Sequence, residues 1–132
     1  MISAVADTHS VVWYLFGDPR LSNGARRAFD EALAVGQRIA VSTITLAELI
    51  YLIEKGRLAK EVLPRLWQLL DEEVLLVETP FDRRVAAAMQ QVERDEIPDL
   101  PDRIIAATGV RLGVPVISRD SKIQRSKIPS IW

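Results

Sequence analysis

The sequence predicts a three-layer α/β/α sandwich around a mainly parallel sheet of four to five strands, and three observations carry that expectation. Short, almost wholly apolar runs recur at residues 2–6, 39–41, 74–77 and 114–117. Segments of helical periodicity separate them. Strands apolar along their whole length are the kind covered on both faces, and intervening helices are what cover them, so the pattern is not that of a hairpin-rich fold.

Each element follows from local signals. Residues 2–6 read as a buried strand, and residues 11–16 as a short helix stopped at Gly17-Asp18-Pro19. Residues 22–35 form a second helix, with Ala25, Ala28, Phe29, Ala32 and Leu33 on one face and Gly36 as its stop. After the strand at 39–41, Thr45 begins a helix over 46–55 whose face is Leu46, Leu49, Ile50 and Ile53, stopped by Gly56. Residues 58–70 give another helix, broken or started by Pro64, and 74–77 a buried strand. Residues 80–93 are expected to be helical, as are 102–112 before Gly113. The fourth strand is 114–117, and 128–131 is a short fifth strand at an edge, where Pro129 is tolerated. A helix is expected between every pair of strands except the last.

Size and composition bound the function. The 132 residues suit one domain, 1–132, and 48% hydrophobic with 27% charged residues excludes a disordered chain and a membrane-embedded one. With no cysteine there is neither a disulfide framework nor a thiolate zinc site, and the N-terminus carries no secretory pattern, so a cytoplasmic location is expected. The net charge of −1 does not mark a general polyanion binder. Any nucleic-acid contact must use a local patch.

In open parallel sheets, sites gather beyond the carboxyl ends of the strands, near the point where strand order reverses. Polar residues directly after strands are therefore the candidates: Asp7-Thr8, then Ser42-Thr43 with Glu48 on the first turn of the next helix, then Ser118-Arg119-Asp120. Asp99 and Asp102 stand at the start of the helix that feeds the fourth strand. Each acid has a structural explanation as well. Asp7 can cap the helix behind it, Thr45-Leu46-Ala47-Glu48 matches a capping box, Asp99-Leu100-Pro101-Asp102 resembles a helix start, and Asp120 can open a turn. What capping explains less well is the recurrence of acids at one sheet edge. Gathered carboxylates repel one another and take up protons unless a cation joins them. A hard divalent cation such as magnesium suits an all-oxygen set. His9 is the only histidine, so no nitrogen cluster competes.

Asp7-Thr8-His9 followed by Trp13, the segment Ser42-Thr43-Ile44-Thr45-Leu46-Ala47-Glu48, the run from Pro101-Asp102-Arg103 to Thr108, and Ile117-Ser118-Arg119-Asp120 together resemble the PIN-domain ribonucleases, specifically toxins of the VapC family. The motifs occur in order, each on its expected element. The resemblance implies a PIN-like fold in which Asp7, Glu48, Asp102 and Asp120 are the catalytic acids that hold one or two Mg2+ or Mn2+ ions. Asp99 matches an additional metal-binding acid, and Thr8 and Ser118 match supporting residues. It also implies an RNA substrate, a homodimer, and a cognate antitoxin whose tail lies along an apolar groove. One departure is visible: many relatives carry histidine where this chain has Ile97, which marks a subgroup.

The activity implied is metal-assisted hydrolysis of RNA phosphodiesters. A divalent cation acidifies water and neutralises charge on the attacked phosphate, so no amino-acid nucleophile is needed. Arg119, Lys122, Arg125 and Lys127 form the best local basic patch for RNA, or else a solvated surface. Arg103 is placed to pair with a site carboxylate. Between residues 46 and 70, Leu49, Tyr51, Leu52, Leu58, Leu63, Leu66, Trp67 and Leu69 exceed what one helix face needs, so some of them are expected to line a partner groove. A haloacid-dehalogenase-type phosphatase would need a second Asp where His9 stands, and a receiver domain an Asp after the third strand, where Glu78-Thr79-Pro80 stands. A catalytically silent PIN-like binding module is the remaining alternative.

Overall fold

The five strands of the computed structural model, which describes residues 1–132, are β1 (Ile2–Ala6), β2 (Arg38–Ser42), β3 (Leu76–Thr79), β4 (Val116–Ile117) and β5 (Ser130–Ile131). They lie in the order β3-β2-β1-β4-β5, and every neighbouring pair is parallel. The helices are α1 (Thr8–Leu15), α2 (Asn23–Ala34), α3 (Thr43–Glu54), α4 (Val62–Glu72), α5 (Arg83–Ala88), α6 (Leu100–Leu112) and α7 (Ser121–Arg125). The chain builds outward from β1 through β2 to β3, then returns to place β4 on the other side of β1. Strand order therefore reverses between β1 and β4.

The strand side chains alternate between two cores. Ala4, Ala6, Ile39, Val41, Leu76 and Ile117 face the cluster supplied by α1, α2 and α4, with Phe29 and Leu66 fully buried there. Val5, Ala40 and Val116 face the opposite cluster, built on α5, α6 and α7 around Ile104, Ile105 and Ile123. The three layers expected from the sequence are these two helical layers and the sheet between them. No helix is long and apolar enough to cross a membrane.

Several boundaries differ from the sequence expectation. A helix, α7, does connect the last two strands. It is short and polar on most positions, with Ile123 its one buried residue, so no apolar period announces it. Helix α1 starts at Thr8 because the Asp7 carboxylate accepts from the Ser10 N–H and opens the helix directly behind the strand; its first turn is polar and gives no hydrophobic signal. Strand β3 begins two residues late. Glu73 ends α4 in the left-handed conformation, and Val74, 60% exposed, lies in the turn leading into the sheet. Pro64 falls in the first turn of α4, where its missing N–H removes no helical hydrogen bond, so it starts the helix rather than breaking it. The expected helix over 80–93 is only α5, capped by Asp82 through the Arg84 and Val85 N–H groups, followed by a single 3-10 turn, Met89–Gln91.

Helix α6 carries two of the candidate acids and lies close on the sheet because of Gly109. A β-carbon there would stand 3.0 Å from the Val114 carbonyl oxygen and 3.1 Å from a Val116 methyl. Gly109→Val should therefore lower stability by about 1–3 kcal/mol through overpacking, measured by urea denaturation, even though glycine is the poorer helix former. An unchanged midpoint would show that the helix has room to move away from the sheet.

Candidate functional site

The reversal between β1 and β4 leaves a crevice at the carboxyl ends of the strands, and the backbone fixes its two sides. The Asp7 N–H donates to the Ile117 carbonyl at 3.1 Å, and the Ser10 hydroxyl donates to the same oxygen at 3.2 Å. Asp7, Glu48, Asp99, Asp102 and Asp120 all line one open cavity of about 650 Å³, together with Thr8, His9, Trp13, Arg20, Arg119 and Lys122.

Capping and cavity lining are compatible because they use different oxygens. Asp7 Oδ1 accepts from Ser10 N–H at 3.0 Å. Asp99 Oδ2 accepts from Asp102 N–H at 3.1 Å. Asp120 Oδ1 accepts from the N–H groups of Lys122 and Ile123 at 2.9 and 3.0 Å. One oxygen of each carboxylate thus orients the side chain while the other has no protein partner. The capping box read at Thr45 does not form. The N-cap of α3 is Ser42, whose hydroxyl accepts from Ile44 N–H, because the polar residues after β2 already begin the helix. Glu48 consequently sits on the second turn, not the first. Its Oε1 accepts a 2.6 Å bond from the Thr8 hydroxyl. Since that bond uses the only Thr8 proton, the 3.1 Å contact between Thr8 and buried Thr45 has Thr45 as donor. The chain Thr45 to Thr8 to Glu48 fixes the glutamate over the cavity.

Asp102 makes no protein hydrogen bond through its carboxylate and is the electrostatic centre of the group. Burial, then the charges of Asp99, Asp120, Asp7 and Glu48, push its pKa up to about 7. The Glu48 pKa is also raised, chiefly by burial, with the Thr8 bond opposing. No three of these carboxylates converge closely enough to grip one ion directly. The donor set nonetheless fits a hard divalent cation: every donor is an oxygen, each acid lining the cavity keeps an oxygen without a protein partner, and five carboxylates outnumber the three basic side chains, Arg20, Arg119 and Lys122, that line it with them. Magnesium usually keeps several waters and binds through one or two carboxylates, which suits carboxylates spread around a cavity of this width.

The remaining sequence candidates separate. Ser118 is buried behind the site, where its hydroxyl accepts from the Asp120 N–H; it orients the Asp120 loop and does not line the cavity. Arg119 and Lys122 line the cavity. Arg125 does not, and Lys127 is held by Glu93 at 3.0 Å, because the last turn of α7 carries them away. Arg103 pairs with no carboxylate; its guanidinium donates to the Val92 and Met89 carbonyls, tying α6 to the preceding turn. Arg20 was invisible in the sequence. It lies in the loop after α1, with no periodicity to mark it, yet reaches the cavity over the Trp13 ring.

The PIN domain family model matches residues 4–128. The chain belongs to the PIN domain family. No curated protein sequence matches it significantly. Among solved structures, this PIN domain is similar to VapBC2 from Rickettsia felis bound to a promoter DNA fragment, with TM-score 0.71, 18% identity, and coverage of 98% of this chain and 97% of that one. It is also similar to DNA-bound VapBC from Salmonella typhimurium, with TM-score 0.68, 22% identity and coverage of 98% and 97%. A toxin-antitoxin complex from Klebsiella pneumoniae matches with TM-score 0.69, 21% identity and the same coverage, 98% and 97%. At these identities the likeness is one of fold.

The strained carboxylates of this PIN domain have a measurable signature. Asp102 keeps its proton up to about pH 7 when folded but releases it near 3.8 when unfolded, so the folded chain binds more protons between those values. Stability of the metal-free protein should fall as pH rises through that interval. In urea denaturation followed across pH, Asp102→Asn should flatten this fall and make the protein more stable above pH 7. Parallel pH curves for the two proteins would remove Asp102 as its source.

Proposed function

We propose that this PIN domain is a Mg2+- or Mn2+-dependent endoribonuclease and the toxin of a toxin–antitoxin pair. The observation that carries the reading is the convergence of five carboxylates, from the ends of β1 and β4 and from α3 and α6, on the cavity at the strand-order reversal. Asp7, Glu48, Asp102 and Asp120 would hold one or two ions, with Asp99 beside them and Thr8 and Ser118 as supports. The cation, when bound, supplies a Lewis acid that acidifies water and neutralises charge building on the attacked phosphodiester.

The chain's own residues do the rest. Asp7, Asp99 and Asp120 keep their orientation through backbone caps, so binding requires little rearrangement of the backbone. The threonine relay fixes Glu48, and Arg119 and Lys122 offset the acidic charge for an approaching RNA backbone. The silent-module alternative has less support, since each of the acids expected from the resemblance reaches the cavity with an oxygen to spare.

The antitoxin partner is supported by the Klebsiella pneumoniae neighbour, itself a toxin-antitoxin complex. An apolar hollow of about 380 Å³, lined by Tyr14, Leu15, Leu33, Leu69, Leu75 and Leu76 among others, offers a surface of the required kind. Of the groove candidates between residues 46 and 70, Leu69 lines it, Leu49 and Leu66 are core residues, and Tyr51 and Trp67 are exposed elsewhere. A homodimer belongs to the same proposal.

Asp7→Asn tests the chemistry. Asparagine caps helices as well as aspartate does, so far-UV circular dichroism and the melting midpoint should stay close to wild type while RNA cleavage with either metal falls by roughly a hundredfold or more. Normal cleavage by Asp7→Asn, or none by wild-type protein free of any co-purifying chain, would overturn the reading.

A further inference from the structure

Two arginines from opposite ends of the sequence meet on one ring at the mouth of the acidic cavity. The Arg20 guanidinium carbon lies 5.1 Å from the centroid of Trp13, and that of Arg119 lies 5.7 Å from the same centroid. Both residues are exposed, and both line the cavity with Trp13. The ring itself is buried, only 7% exposed, and is backed by Trp132 in an edge-on contact at 6.0 Å and by His9 at 5.6 Å. Gly24 makes room for this backing, because a β-carbon there would stand 2.7 Å from the Trp132 carbonyl oxygen.

The arrangement leaves donors free in a defined direction. Arg20 is held from behind by Asp18, which accepts from its Nε at 3.0 Å and its Nη2 at 2.7 Å; three N–H bonds remain, both on Nη1 and one on Nη2. Arg119 makes no side-chain hydrogen bond or ion pair in the protein, so its whole fork is available. A guanidinium stacked on an aromatic face keeps its N–H edge outward, and its flat fork matches two phosphate oxygens, which a lysine ammonium does not. The cavity floor is anionic, so an RNA strand needs fixed positive charge beside it. Net charge cannot provide that, because it is −1 overall.

We propose that Trp13 positions Arg20 and Arg119 as a paired clamp for the phosphates of single-stranded RNA that flank the reacting one. The proposal rests on the ribonuclease reading and assigns Arg20 and Trp13 roles within it. Arg20 and Arg119 touch the strand; Trp13 acts through them and is a positioning residue. The clamp grips backbone and not bases, so it contributes affinity and register without sequence preference.

The test is binding of a short single-stranded oligoribonucleotide, followed by fluorescence anisotropy across a salt series with Mg2+ present, with every protein carrying Asp7→Asn so that the strand stays intact. Arg20→Gln and Arg119→Gln should each weaken binding by roughly two- to five-fold, the scale of an exposed ion pair, and reduce the log–log salt slope by about 0.7 per lost phosphate contact. Trp13→Leu keeps both charges yet should lose affinity and slope together, and Trp13→Phe, which keeps a ring face, should recover most of both. Arginine variants that bind with the affinity and slope of Asp7→Asn alone, while wild-type protein cleaves RNA, would overturn the clamp and leave the ribonuclease reading standing. Absence of both binding by Asp7→Asn and cleavage by wild type would overturn the two together.

Discussion

Mutual repulsion among carboxylates is the constraint on which the site depends. Five acids share one cavity, and the central one, Asp102, is driven up to about 7 by burial and by its neighbours. A fold that served stability alone would pair each acid with a cation or disperse them. This chain keeps them together by fastening three of them to backbone N–H groups and Glu48 to the Thr8 hydroxyl. Asp7, Asp99 and Asp120 spend one oxygen on a helix N-terminus, where a carboxylate is favoured by orphan N–H groups and the helix dipole. The sheet fixes those helix starts in turn. Capping is the means by which these three acids are held, and the charge it leaves over is what a metal would use.

The same economy explains why the molecule's apolar layers matter to its chemistry. Strands β1 and β4 are covered on both faces, so their ends can diverge only at the crevice where the order reverses. Glycine at position 109 lets α6 settle on those two strands, and this brings Asp99 and Asp102 to the crevice. On the opposite side, Trp13 belongs to the core under α1 and α2 yet also lines the cavity. Core packing thereby sets where the two arginines stand.

Much of this was legible in the sequence, for physical reasons that also mark where legibility ended. Buried parallel strands and the glycine or proline stops around them leave strong hydrophobic and conformational signals, so the layers and the strand-end acids could be read directly. Helix α7 and the first turn of α1 are polar, and their starts are set by single side-chain caps at Asp120 and Asp7 that periodicity does not register. The apolar run at 74–77 showed hydrophobicity, but only the left-handed turn at Glu73 reveals that the strand begins at Leu76. Thr45 and Glu48 have the spacing of a capping box, and what separates them is a tertiary contact with Thr8, 40 residues from the glutamate. Arg103 looked like a partner for the acids because it adjoins one in sequence; on a helix, adjacent residues point apart, and it serves the backbone instead. Arg20 had no signal at all, since its role exists only where a loop crosses a ring.

The most direct test of the central claim is calorimetric titration of the protein with Mn2+ at a pH just below the Asp102 midpoint of about 7, repeated in buffers of different ionisation enthalpy. If the carboxylates hold the metal jointly, binding displaces the proton that burial and repulsion placed on Asp102: protons are released to the buffer, and Asp102→Asn loses both the release and most of the affinity. Binding without proton release, unaffected by Asp102→Asn, would contradict the account, as would the absence of binding.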